Sequence, residues 1–250
     1  MRGKLTADSR LIAVTGASRG IGAAIAVELA RRGFRVACLS RRGTPPAAEL
    51  PAELAARFVC ARCDVTDESS VRAALATIAV EGVHGVVNNA GIHLDAPSHE
   101  LTLETYEQVM RTNATSVFTV CREAYPHLVK AGGGTIINIG SFFDKIGVKR
   151  NLAYCASKAA VGAITRCLAV EWGAKNIRVL DVAPGYIETD LNRDAFEAGP
   201  LRDYLQKRIP GKRHGTAEEV ARLVAAIFVE DIPFLNGDTI YIDGGQGIAH

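Results

Sequence analysis

Short apolar runs alternate along this chain with longer stretches in which alanine, leucine and valine recur at helical spacing. The runs predict β-strands at Leu11–Thr15, Phe34–Leu39, Arg57–Cys63, Gly85–Asn88, Thr135–Ile139, Ile177–Val182 and Thr239–Ile242. Several are apolar at every position rather than at every second one, the pattern of strands covered on both faces. Strands and helices in alternation imply βαβ units, so the expected fold is α/β: a doubly wound, parallel, seven-stranded sheet with helices on both faces. No repeat or Ser/Gly linker interrupts the series, and residues 1–250 read as a single domain. The two loosest places are Gly43–Pro51 and the stretch from Gly185 to Pro210, which reads as a flexible cover.

Composition narrows the function. A chain of 250 residues, 48% of them hydrophobic, can bury one large core. Its 29 basic and 27 acidic residues nearly cancel, without a block of like charge, which argues against a nucleic-acid or acidic-membrane surface. Met1–Arg10 is polar, and no apolar run approaches the ~20 residues of a spanning helix, so a cytoplasmic protein is expected. The six cysteines lack framework spacing. Cys60-Ala-Arg-Cys63 has no second ligand pair and lies in an expected strand that would point its thiols to opposite sides, so no metal site is expected.

Chemistry concentrates in three places. The first strand runs into Thr15-Gly-Ala-Ser-Arg-Gly-Ile-Gly22 and then into a helical pattern, Ala23–Arg32. Glycines at 16, 20 and 22 allow a tight turn and close backbone approach to a pyrophosphate, which would face a helix N-terminus. The second strand ends Ser40-Arg41-Arg42, with no acidic residue until Glu49. An acidic group there would hold a ribose 2′-hydroxyl. Arginines instead suit a 2′-phosphate, so Arg19, Ser40 and Arg41 favour NADP(H) over NAD(H). Third, Tyr154 and Lys158 are four apart in a helix expected over 151–172. Such spacing puts phenol and ammonium on one face, where the cation would lower the phenol pKa and make a usable general acid or base.

These residues, in this order, resemble the short-chain dehydrogenase/reductase family over Leu11–Gly245. Thr15–Gly22 matches its TGxxxGxG loop and Asn88-Asn-Ala-Gly91 its NNAG motif. Asp64-Val65 matches the adenine-contacting position, Pro184-Gly185 with Thr189 the nicotinamide-contacting segment, and Asp243-Gly-Gly245 the C-terminal turn. The resemblance implies a Rossmann-type fold and an oxidoreductase that interconverts a ketone and a secondary alcohol by hydride transfer. It also implies a catalytic tetrad of Asn113, Ser141, Tyr154 and Lys158. Ser141 would polarise the carbonyl, Tyr154 exchange the proton, Lys158 hold the ribose and tune Tyr154, and Asn113, in a helix including Thr112–Lys130, anchor a relay water. Cofactor contacts are implied for Gly16, Ser18, Arg19, Gly20, Ile21, Gly22, Ser40, Arg41, Asp64, Val65, Asn89, Ala90, Gly91, Tyr154, Lys158, Pro184, Gly185, Ile187 and Thr189.

Substrate would meet His93, Phe142, Phe143 and Tyr186, with the two phenylalanines either forming an apolar wall or packed inward. The overall pattern is most similar to 3-oxoacyl-(acyl-carrier-protein) reductases, but the expected basic docking residues match only in part. A 3-oxoacyl thioester and a free small ketone therefore remain level as substrates. A non-catalytic dinucleotide sensor is the alternative of a different class. The resemblance further implies that the two long helices pair between subunits and build a homotetramer, with a dimer second.

Overall fold

The computed structural model describes residues 9–46, 50–189 and 200–249. Part of the expected cover, 190–199, and part of the Gly43–Pro51 stretch, 47–49, lie outside them. Nine strands are seen among these residues: β1 (Leu11–Thr15), β2 (Arg35–Ser40), β3 (Phe58–Arg62), β4 (Val83–Asn88), β5 (Gly134–Ile139), β6 (Ile177–Pro184), β7 (Ile187–Glu188), β8 (Gly215–Thr216) and β9 (Thr239–Ile242). The helices are α1 (Gly20–Arg31), α2 (Ala52–Ala55), α3 (Glu68–Ile78), α4 (Leu103–Met110), α5 (Ser116–Ala131), α6 (Leu152–Trp172), α7 (Pro200–Arg208) and α8 (Ala217–Glu230).

Seven strands form one parallel sheet in the order β3-β2-β1-β4-β5-β6-β9. The strand order reverses between β1 and β4, and the loops leaving their carboxyl ends open a crevice there, the usual ligand position in such sheets. Two apolar layers explain why the strands read as continuous hydrophobic runs. On one face Ile12, Val14, Val36 and Val182 pack against Ile25 and Leu29 of α1 and Val220 and Val224 of α8. On the other, Leu11, Ala13, Val86, Ile136 and Val179 meet Leu75 of α3, Val120 and Leu128 of α5 and Val161 of α6. Residues alternate between these layers along each strand, as the two-residue pleat requires.

The structure adds two features. The helix expected to include Thr112–Lys130 begins earlier, as α4, and passes into α5 through a π-turn at Arg111–Thr115. Its polar first half buries only Val109, which leaves little hydrophobic signal. The chain after β6 also makes a two-stranded pairing, β7 with β8, too short to read from sequence. Among the described residues, no helix is long and apolar enough to cross a membrane.

Candidate active site

The loop between β1 and α1 is shaped by close approach. Gly16 has φ +65°, and a Cβ on it would lie 2.9 Å from Asn89 Nδ2 and 3.0 Å from Ala90 Cα. Gly22 is pressed against Gly16 O and Asn89 Nδ2, inside any tolerable Cβ distance. Thr15 binds the two loops together: its Oγ1 accepts from Asn89 N (3.0 Å) and Ala90 N (3.1 Å), while Asn89 Nδ2 donates to Thr15 O (3.1 Å) and Gly16 O (3.3 Å). Thr15 was expected only as the first residue of the glycine loop, and its side chain proves to be the staple. At the start of α1 the N-cap is Arg19, whose side chain makes no capping bond, whereas Asp67 caps α3 and Thr216 closes a capping box on α8. Free amides, helix dipole and the glycine-lined cradle together fit a pyrophosphate.

The other expected cofactor residues surround this cradle. Ser18 and Ile21 are half-buried in the loop and first turn, and Arg19 is exposed. Ser40 is buried and its Oγ accepts from Gly43 N at 3.0 Å; Arg41 is exposed beside it. Asp64 lies within electrostatic reach of Arg41 and holds an Asx turn, accepting from Thr66 N at 2.9 Å and Thr66 Oγ1 at 2.7 Å; these bonds, with Arg41 contributing less, hold its carboxyl below the usual range. Val65 packs against the α3 layer. Across the crevice, Thr189 Cγ2 would stand 3.6 Å from a Cβ on Gly20. Gly185 N donates to Ile242 O, next to Pro184 at the end of β6, and Ile187 is buried in the α1 layer with its backbone paired to β8.

Asn113, Gly91, Ser141, Tyr154 and Lys158 converge beyond β4 and β5. The π-turn aims Asn113 inward: its Oδ1 accepts from Ile92 N (2.8 Å), and its Nδ2 donates to Ile92 O (2.9 Å) and Ser157 Oγ (3.1 Å). A Cβ on Gly91 would meet Asn113 Oδ1 at 3.2 Å. Ser141 opens a 3₁₀ turn at Phe142–Asp144 and its Oγ accepts from Phe143 N at 3.3 Å. Lys158 is 6% exposed, and its ammonium donates to Ile139 O at 2.7 Å, with Nζ 5.6 Å from the Tyr154 ring centre.

Phenol and ammonium thus share a face, but the expected lowering of the phenol is not found. Burial pushes Tyr154 up to about 12, and a hydrogen bond with Ser141 offsets only part of this. Burial also brings Lys158 down to about 8, opposed by the charge of Asp181. Loss of water around both groups outweighs their proximity, and the lysine spends a proton on a backbone carbonyl instead of the phenol.

Around Tyr154 the expected substrate residues form an aromatic cluster. Phe142 and Phe143 are both buried. Phe143 meets Tyr154 edge-on at 5.8 Å, and Tyr186 meets Phe142 at 5.5 Å and Tyr204 of α7 at 6.4 Å. His93 is exposed at the mouth, 4.8 Å edge-on to Tyr154 and hydrogen-bonded through Nε2 to Asn151 Oδ1. Asn151 was not expected from sequence; its place at the N-cap of α6, one turn before Tyr154, was the available signal.

A family model described as enoyl-(acyl carrier protein) reductase matches residues 16–246. The chain is 35% identical over 246 residues to D-threitol dehydrogenase of Mycolicibacterium smegmatis, covering 96% of this chain and 94% of the relative. It is 37% identical over 244 residues to a 3-oxoacyl-[acyl-carrier-protein] reductase of Mycobacterium tuberculosis, covering 97% and 94%. A gluconate 5-dehydrogenase from Burkholderia cenocepacia, solved in complex with NADP and tartrate, superposes with a TM-score of 0.87 at 32% identity over 97% of both chains. Matches of this length in both sequence and fold make the chain a member of the short-chain dehydrogenase/reductase family, an oxidoreductase that interconverts alcohols and ketones.

Proposed function

We propose that the protein is an NADP(H)-dependent carbonyl reductase acting on a small free ketone with polar substituents, with Asn113, Ser141, Tyr154 and Lys158 as its working groups. The observation that carries the reading is the buried Lys158, whose Nζ is held by Ile139 O and stands 5.6 Å from the centre of the Tyr154 ring. A nicotinamide dinucleotide supplies or accepts the hydride when bound. The chain's own part is to bind, orient and exchange the proton. Gly16, Ser18, Gly20, Ile21 and Gly22 present backbone to the pyrophosphate, Arg19 and Arg41 meet a 2′-phosphate, and Asp64 and Val65 border the adenine. Asn89, Ala90, Gly91, Pro184, Gly185, Ile187 and Thr189 line the remaining path.

At the reacting end, Ser141 Oγ donates to the ketone oxygen and Tyr154 Oη delivers its proton there. A positive Lys158 close by favours the phenolate left behind, and Asn113 holds the Ile92 backbone and anchors the return path from solvent. The burial of Phe142 and Phe143 leaves His93, Asn151 and Tyr186 to meet the substituents, which favours a polar ketone. A 3-oxoacyl thioester is the second reading, supported by the likeness to a 3-oxoacyl-[acyl-carrier-protein] reductase. NADPH oxidation against hydroxyketones, cyclic ketones and an acetoacetyl thioester, repeated with NADH, separates these readings. A thioester preference would overturn the polar ketone, and an NADH preference the arginine clamp. The proposal extends to one catalytic domain in the cytoplasm, assembled as a homotetramer, with a dimer as the smaller possibility.

A further inference from the structure

On the face of β6 that packs against α6, Ile177 and Val179 are apolar, and the next inward position is Asp181. Asp181 is fully buried, and its Oδ1 has no hydrogen-bond partner. Its register partner on β5 is Asn138, and on β9 it is Thr239, whose Oγ1 donates to Asp181 Oδ2 at 3.3 Å. The carboxyl group is pressed on the backbone just before Ser141: a Cβ on Gly140 would lie 2.6 Å from Asp181 Oδ2. A carboxylate in this position is costly unless a cation answers it.

Among the described residues, few charged groups act on Asp181. Lys158 comes from α6 and is the buried cation. Asp144, from the turn after Ser141, adds like charge, and its Oδ2 accepts from Tyr241 Oη of β9 at 2.8 Å. Arg166, further along α6, acts on Tyr241. Lys158 is therefore the cation that answers Asp181, and Asp181 is the anion that answers Lys158.

We propose that Asp181 is a positioning residue for the reaction: a buried counter-charge, one layer beneath Ser141, that keeps Lys158 protonated and so sets the alkaline limit of carbonyl reduction. The inference rests on the reading that Lys158 serves Tyr154. No bond to substrate is involved; Asp181 acts only through the lysine. Its charge favours the ammonium, and in its absence the lysine gives up its proton at a lower pH.

The test is the pH dependence of kcat/KM for NADPH-dependent ketone reduction by wild type and Asp181→Asn, with folding checked by circular dichroism. The expected result is an alkaline limb displaced downward by about one pH unit, so that kcat/KM on that limb falls about tenfold at a fixed pH. Asp181→Ser removes the charge with a smaller polar side chain and should shift the limb the same way; it decides the matter if Asp181→Asn does not fold. Limbs that overlay wild type in the folded variants overturn the proposal. Tyr154→Phe and Lys158→Met are assayed alongside. If they turn over normally, the reading of Tyr154 and Lys158 falls; if they are inactive while the limbs overlay, only the role of Asp181 falls.

Discussion

Replacing Gly22 by alanine tests the cofactor cradle most directly. The added methyl would enter space held by Gly16 O and Asn89 Nδ2. Gly16 cannot swing away, because its φ of +65° and its N–H bond to Leu39 O at 2.8 Å fix it. The Asn89 amide would have to leave instead, releasing its bonds to Thr15 O and Gly16 O. Overpacking costs about 1–3 kcal/mol, and two lost hydrogen bonds cost about 0.5–1.5 kcal/mol each. Alanine's better helix propensity returns about 1 kcal/mol. The net loss centres near 3 kcal/mol, which in a chain of this size lowers Tm by roughly 5–15 °C.

Calorimetry reads the stability, and NADPH fluorescence titration reads the cradle, where Kd should rise at least about tenfold, the equivalent of about 1.4 kcal/mol. Gly20→Ala is the internal comparison. Its methyl would meet Thr189 Cγ2 at an ordinary 3.6 Å, leaving only the cost of φ +56°, about 1–2 kcal/mol. A Gly22→Ala protein that melts within about 2 °C of wild type and binds NADPH equally well would refute the steric reasoning.

Tyr154→Phe should cut ketone reduction by about 10²–10⁴-fold while NADPH affinity stays near that of wild type; turnover and titration on one preparation check both. Arg41→Ala should raise Kd for NADPH far more than for NADH, and equal losses would remove the 2′-phosphate contact. Thr15→Val should cost about 2–4 kcal/mol by stranding the amides of Asn89 and Ala90, read as a fall in Tm. Burial and neighbouring Asp144 raise Asp181 to about 6, against the pull of Lys158. Its stabilising contribution as the neutral acid is complete below about 4, the unfolded value, and is lost as pH rises through about 6. The Tm of Asp181→Asn relative to wild type should therefore climb between those pH values, and parallel curves would contradict the raised carboxyl.

Strands were legible where both faces are covered, because every residue of β1 and β6 is buried and the sequence there is apolar apart from Thr15, Arg178 and Asp181. The helix carrying Tyr154 and Lys158 was legible to within a residue, since its small and apolar side chains repeat on more than one face. The π-turn was not, because an extra residue in a helix changes spacing without changing composition. The side-chain roles of Thr15 and Asp181 also escaped notice. A threonine ending a strand and one aspartate in Arg178-Val-Leu-Asp-Val182 look ordinary until the fold supplies Asn89 and Lys158. The phenol's rise was hidden for a related reason: spacing reports which groups are neighbours, whereas burial decides how much water they keep.

The wide turn at Arg111–Thr115 carries one residue more than an α-helix needs, and the rod from Leu103 to Ala131 absorbs it without breaking. Deleting a single residue there would let the rod close into an unbroken α-helix. Asn113 would lose the wide turn that aims it at Ile92. A loss that small in the gene would leave the sheet untouched and disable the site, so this segment should accept substitutions more readily than changes in length.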